Sequence, residues 1–383
     1  MIYLDHNATS PLRPEARAAM ERAFAAGGNP SSVHAAGRAA RKLVEDAREQ
    51  VAAFAGAKPS EVIFTSGGAE SNALALRGAI AGAADSGHAI TRLLVVATAH
   101  ESVRAVAKAL AEESGVQLLE IPVNENGRIE PDHLHEMLTG SGRTLVSLIF
   151  ANNETGVIED VAQLKKILNG VPGDVLLHVD AVSCGYSPVR FSAWDADYLS
   201  LSAHKIGGPQ GVGALIAKDG APLAALFNGA QERGRRAGTE NVSGIAGFGA
   251  AARALQARFD EEREHCALLR RYFESELRGL APNATIFGEH EIRQPHVSCF
   301  AIPQLRAENT LMALDLDGIC VSSGAACSSG KVSPSHVLKA MGVDEALSRC
   351  ALRLSFGPDN SLMDVDALMT SLKRLIGRKL AVA

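Results

Sequence analysis

Short, almost wholly apolar runs recur along the first two thirds of the chain: Val62 to Thr65, Leu93 to Ala97, Leu145 to Phe150, Val175 to Val179, Tyr198 to Leu201 and Val212 to Ala217. Apolar residues at consecutive positions, rather than alternating ones, predict strands buried on both faces and a mostly parallel sheet covered by helices. The segments between them carry helical periodicity. Leu43, Ala47, Val51 and Phe54 form one apolar stripe that stops at Gly56, and Ser102 is placed to cap a helix running through Val103, Val106 and Leu110 to Gly115. Beyond about Gly244 the texture changes. An Ala- and Arg-rich stretch from Ile245 to Leu277 predicts one long helix, followed by a mixed region with fewer apolar strands. The expected fold class is α/β: a large domain with a mostly parallel mixed sheet, and a smaller α+β domain.

Composition narrows the class. The 383 residues are 46% hydrophobic and 21% charged, the profile of a soluble globular chain long enough for more than one domain. A formal net charge of −5 argues against a direct nucleic-acid binder, which would carry a basic excess. No apolar run approaches the roughly 18 residues that would suggest a membrane span. Met1 to His6 lacks the basic start and apolar stretch of a secretory signal. Cys184, Cys266, Cys299, Cys320, Cys327 and Cys350 are scattered, with no C-x-x-C pair. That spacing argues against a zinc site or a disulfide framework and fits a reducing compartment, so a cytoplasmic location is expected.

In an open α/β sheet, ligands bind beyond the carboxyl ends of the strands, and four such ends carry chemistry. The run Asp174 to Asp180 finishes in an acid, which is either a turn aspartate or a carboxylate for a buried cation. Ser200 to Lys205 finishes in His-Lys and enters the turn Ile206-Gly207-Gly208. Most lysines are solvated, but one that closes a buried strand is desolvated, which lowers the amine pKa and suits Schiff-base chemistry. Phe64 to Asn72 turns from strand to helix through Gly67 and Gly68, either as a plain βα turn or as a cup of exposed N–H groups for phosphate. Leu93 to His100 delivers a histidine, either a satisfied structural ring or one stacked on a planar ligand as acid or base. A phosphate cup, a Schiff-base lysine, an aspartate for a pyridinium nitrogen and a stacking imidazole are together what pyridoxal 5'-phosphate asks of a protein. A fifth feature lies near the C-terminus, where Val321 to Lys331 sets Cys327 among Gly and Ser residues, which favour irregular, solvent-reachable backbone.

At this point the chain resembles a cysteine desulfurase of the NifS/IscS group, within the class V aminotransferase family and its aspartate-aminotransferase-like fold of pyridoxal-phosphate enzymes. The matching motifs run nearly the whole length: Tyr3 to Thr9, Gly28 to Ser32, Ala151 to Gly156, Glu232 to Asn241 and Ser322 to Ser329. The resemblance implies that Lys205 holds the cofactor, Asp180 binds its ring nitrogen and His100 stacks on the ring and shuttles protons. It further implies that Ser202 and His204, with Gly68 and Ala69 at the helix start, bind the phosphate. Thr239 would reach that phosphate from a neighbouring subunit, which implies a homodimer. Ser183 stands at the position facing the ring's 3-oxygen. Arg353 would grip the substrate carboxylate with Asn153 assisting, and no metal is involved. A large cofactor domain is expected over residues 15–255. A small domain is expected from residues 1–14 with 256–383, carrying the Cys loop at about 321–333.

The implied reaction converts L-cysteine to L-alanine, with the sulfur captured as a persulfide on Cys327. It is then passed to an acceptor protein such as an iron–sulfur scaffold or a tRNA-thiolation carrier. Two positions depart from the group's pattern, which usually has Thr at Ala69 and Gln at Ser183, and weaker cofactor retention or a shifted aldimine pKa is expected from them. The chain also ends soon after Arg378-Lys379-Leu380, with little of the tail by which housekeeping members dock their scaffold. A selenocysteine lyase or another enzyme on the same scaffold, and a degenerate non-catalytic scaffold protein, are the competing readings. The other five cysteines read as fillers.

Overall fold

A computed structural model describes residues 1–140, 142–323 and 334–380. Cys327 and most of its loop therefore lie outside the described residues. The sequence's apolar runs pair into one seven-stranded sheet, in the order Val62–Thr65, Gly213–Ala217, Tyr198–Ser202, Val175–Asp180, Arg143–Ile149, Ile90–Val96 and Gln117–Ile121. Gly213–Ala217 runs antiparallel to both neighbours, and every other pairing is parallel. The interior strands are apolar on both faces because helices cover both faces.

A smaller antiparallel sheet follows, in the order Ser322–Ser323, Ala351–Ser355, Val297–Ala301 and Thr285–Ile286. The first residues of the chain belong to this end of the molecule: Ile2–Tyr3 pairs in parallel with Ile319–Cys320. Among the described residues no helix is long and apolar enough to cross a membrane.

The helix predicted around the Leu43 stripe spans Ala35–Ala55 and stops where expected. Gly56 takes the left-handed conformation at φ 67°, and its N–H returns to the carbonyls of Ala52 and Ala53. Two expectations are corrected. The helix after the Leu93 strand spans Glu101–Ser114, and its cap is His100, not Ser102: the His100 ring accepts the Ser102 backbone N–H. The single long helix expected from Ile245 to Leu277 is two helices, Val242–Ala257 and Phe259–Leu280. They part at Arg258, whose φ of −120° leaves the helical range. The first packs Ala246 and Ala250 on Ala19 and Ala23. At Gly249 an added Cβ would lie 2.6 Å from the Ala47 backbone, so that contact needs a glycine. The second helix is amphipathic, and Glu262 on it forms a buried bidentate pair with Arg13, at 2.8 and 2.6 Å. Each half buries a different face, and the chain reorients between them.

Candidate active site

The strand ends flagged in the sequence come together. A cavity of about 380 Å³ opens at the carboxyl edge of the large sheet, lined by Gly68, Ala69, His100, Asn153, Asp180, Ser183, Ser202, His204, Lys205 and Arg353 among others. An adjoining pocket on the Gly67–Ala69 side shares Ser202 and His204 with it and adds Ser66, Thr9, Gln210 and Gly211. Of the predicted residues that the structure describes, Thr239 is not among these linings: it is exposed on the loop before the Val242 helix. Cys327 is outside the described residues.

Lys205 follows the Tyr198–Ser202 strand in a short 3-10 turn, Ala203–Ile206, and Gly207 at φ 80° turns the chain away. Its Nζ donates to the backbone carbonyls of Asn7 and Ala8 at 2.7 and 3.0 Å. Burial lowers the amine pKa to about 8, and the Arg353 charge pushes the same way. Asp180 ends the neighbouring strand. Its carboxylate accepts the Asn72 side-chain amide at 2.9 Å and the Val182 N–H at 3.0 Å. Burial raises its pKa against these hydrogen bonds and the nearby His100 and Lys205 charges.

The helix Gly68–Asp85 starts at the cavity, and its first N–H groups, which have no partner within the helix, suit an anion there. His204 pairs its Nδ1 with the Thr9 hydroxyl at 3.1 Å. Burial and the Lys205 charge push its pKa down to about 4, which keeps the ring neutral. Ser202 is buried beside it. Arg353 lies mid-strand in the small sheet, opposite Cys299 and Ser322. Its Nη2 reaches Asp5 at 2.7 Å and its Nη1 the Asn153 carbonyl at 2.9 Å, while its buried Nε has no hydrogen-bond partner among the described residues. Asn153 thus holds Arg353 through its backbone. The backbone carbonyls of Ser183 and Cys184 accept the Gln294 amide, which fixes the turn that Ser183 occupies.

Sequence reasoning missed Asn72, Ser102, Asp5 and the Asn7–Ala8 carbonyls. Asn72 had a signal: it lies four residues after Gly68, on the same face of a helix whose side chains lean toward its N-terminus. Asp5 had a weaker one, as a carboxylate inside the Tyr3 to Thr9 motif. The carbonyls had none.

The chain matches the family model for aminotransferase class-V over residues 2–368. The chain belongs to this family. As a class-V member it is 38% identical to the cysteine desulfurase IscS of Dictyoglomus turgidum, over 98% of this chain and 94% of that one. It is 39% identical to a cysteine desulfurase of Cereibacter sphaeroides, over 100% of this chain and 97% of that one. The X-ray structure of a NifS-like protein from Rickettsia africae superposes with a TM-score of 0.88 at 32% identity, covering 98% of this chain and 99% of that one. The class-V family is pyridoxal-phosphate dependent, and the donor set here fits that group. A buried carboxylate suits a ring nitrogen, an amine with no ion pair among the described residues suits an aldehyde, and a helix start with Ser202 and His204 suits a phosphate.

Proposed function

We infer that this protein is a cysteine desulfurase. Overall, L-cysteine and the Cys327 thiol become L-alanine and a Cys327 persulfide: the Cβ–S bond breaks, an S–S bond forms and Cβ gains a proton. The carrying observation is the Lys205 amine, which is half-buried, makes no ion pair among the described residues and shares one cavity with Asp180 and Arg353. Bound pyridoxal phosphate supplies an electron sink that makes the substrate Cα–H and Cβ–S bonds labile.

The chain's own residues divide the remaining work. The Arg353 guanidinium binds the substrate carboxylate, with Asp5 and the Asn153 carbonyl presetting its plane. Asp180 would hold the ring nitrogen. The helix start at Gly68, with Ala69, Ser202 and neutral His204, would hold the phosphate, with Ser183 on the ring side. Lys205 Nζ, neutral above about pH 8, takes and returns the proton at substrate Cα. His100, which lines the same cavity, would stack on the planar group and take part in proton handling. The Cys327 thiolate attacks the substrate sulfur.

The same proposal takes residues 15–255 as the cofactor part, and residues 1–14 with 256–383 as the smaller part. The pairing of Ile2–Tyr3 with Ile319–Cys320 supports that division. A homodimer in which Thr239 completes the partner's phosphate site is supported by the exposure of Thr239 away from its own cavity. The acceptor class, an iron–sulfur scaffold or a tRNA-thiolation carrier, and a cytoplasmic setting complete the reading. The test is Cys327→Ala, assayed for L-alanine and sulfide from L-cysteine. Turnover should vanish while cofactor content stays at the wild-type level. L-cysteine turnover that survives the change defeats the reading in favour of a lyase.

A further inference from the structure

Four residues from three elements form one hydrogen-bonded line through the site: Asp180, Asn72, Ser102 and His100. Asn72, at 1% exposure, points its amide nitrogen at Asp180 Oδ2, 2.9 Å away, and at Ser102 Oγ, 3.0 Å away. The Asp180 carboxylate also accepts the Val182 N–H. It is an acceptor on both oxygens, which fixes the Asn72 amide with its NH₂ toward the carboxylate. Ser102 Oγ therefore already receives a proton from Asn72, and its single hydroxyl proton is left to give. The acceptor within reach is His100 Nδ1 at 2.8 Å.

The same Nδ1 receives the Ser102 backbone N–H at 3.1 Å. That backbone donor is part of the helix start and cannot turn away. A proton on Nδ1 would face it directly, and would also compete with the hydroxyl proton that Asn72 has oriented. Nδ1 is thus a lone pair serving two donors, and the neutral ring carries its proton on Nε2, which has no partner among the described residues.

We propose that Ser102 and Asn72 are positioning residues that lock His100 in the Nε2–H tautomer, so that the ring meets the bound substrate as a hydrogen-bond donor and not as a base. This refines the functional reading above, on which it rests for the placement of His100 at the reacting group. A neutral imidazole held this way can polarise or anchor an electronegative atom, and it leaves proton abstraction to Lys205. Ser102 supplies the directing proton, and Asn72 supplies the reason it points one way.

The experiment uses the holoenzyme with ¹⁵N-labelled histidine, reading the two ring-nitrogen shifts of His100, together with kcat, KM for L-cysteine and cofactor content. The wild type should show an unprotonated Nδ1 and a protonated Nε2. Ser102→Ala keeps the backbone N–H but loses the hydroxyl. Its His100 signals should move toward a tautomer mixture and its kcat should fall about fivefold, with KM and cofactor content unchanged. Ser102→Thr, which restores a hydroxyl, should recover both readouts. A wild-type Nδ1 that carries the proton overturns the proposal, as does a Ser102→Ala protein with unchanged ring signals and kcat. His100→Ala separates this from the broader reading. If it turns over L-cysteine at the wild-type rate, the catalytic placement of His100 fails, while the nitrogen shifts still judge the locking by Ser102.

Discussion

Lys205 Nζ donates to the backbone carbonyl of Asn7 at 2.7 Å, across 198 positions of sequence. A carbonyl dipole stabilises an ammonium less than a carboxylate would, and no salt bridge to Lys205 forms among the described residues. Desolvation therefore outweighs the local attraction, and the amine pKa falls to about 8.

The sign of the resulting pH dependence is fixed. Only the neutral amine attacks an aldehyde, and at pH 7 roughly a tenth of Lys205 is neutral if its pKa is about 8. The rate at which apoprotein takes up pyridoxal phosphate should rise between pH 7 and 9 with a midpoint near 8, followed by stopped-flow absorbance. A flat profile across that window would contradict the lowered amine pKa.

Arg353 enters the site with two of its nitrogens engaged and its Nε without a partner among the described residues. Arg353→Ala should remove the carboxylate clamp at a cost of about 2–3 kcal/mol, or roughly 30- to 150-fold in KM for L-cysteine. Arg353→Lys should recover only part of this, because an ammonium is a point charge without the guanidinium fork. Steady-state kinetics on protein of matched cofactor content decide it.

Ala69 and Ser183, where the resemblance implies Thr and Gln, line the cavity. Restoring each adds a polar partner for the phosphate or the ring oxygen, worth on the order of 1.5–3 kcal/mol for the charge-assisted contact. The double variant Ala69→Thr/Ser183→Gln should release cofactor at least about tenfold more slowly on dilution. Identical release rates would mean that water already fills both roles.

Glu154 is 3% exposed, and burial raises its pKa to about 7 even though the Ser335 hydroxyl and the Arg353 charge pull it down. A carboxyl whose folded pKa exceeds its unfolded one stabilises the fold below the unfolded value. That contribution is lost as pH rises through about 7. Glu154→Gln removes this dependence. Between pH 5.5 and 8 the wild type should therefore lose about 2 kcal/mol relative to the variant, read from urea unfolding. Glu159, also raised to about 7, is present in both proteins and cancels in the comparison.

The strand ends were legible because a doubly covered sheet leaves an unmistakable run of apolar residues, and because chemistry gathers where such runs stop. Asp180, Lys205 and His100 were found that way. The helix cap was not. Choosing His100 over Ser102 depends on a ψ of 151° and on a ring nitrogen that reaches two residues ahead. The break at Arg258 was hidden because both halves keep helical periodicity, and only their different packing partners separate them. Asn72 and the Asn7 carbonyl act on residues 108 and 198 positions away, and no local pattern encodes such meetings.

The pairing of Ile2–Tyr3 with Ile319–Cys320 also places a constraint on biosynthesis. The large sheet closes once residue 217 has been made, yet the floor under Lys205 and the brace on Arg353 come from Asp5, Asn7 and Ala8. The strand just before them, Ile2–Tyr3, finds its partner only after residue 320 has left the ribosome, and Asp5 and Asn7 are held by Ser355, later still. Cofactor capture therefore belongs to the end of synthesis, and a truncated chain that folds its sheet still lacks the seat for the cofactor lysine.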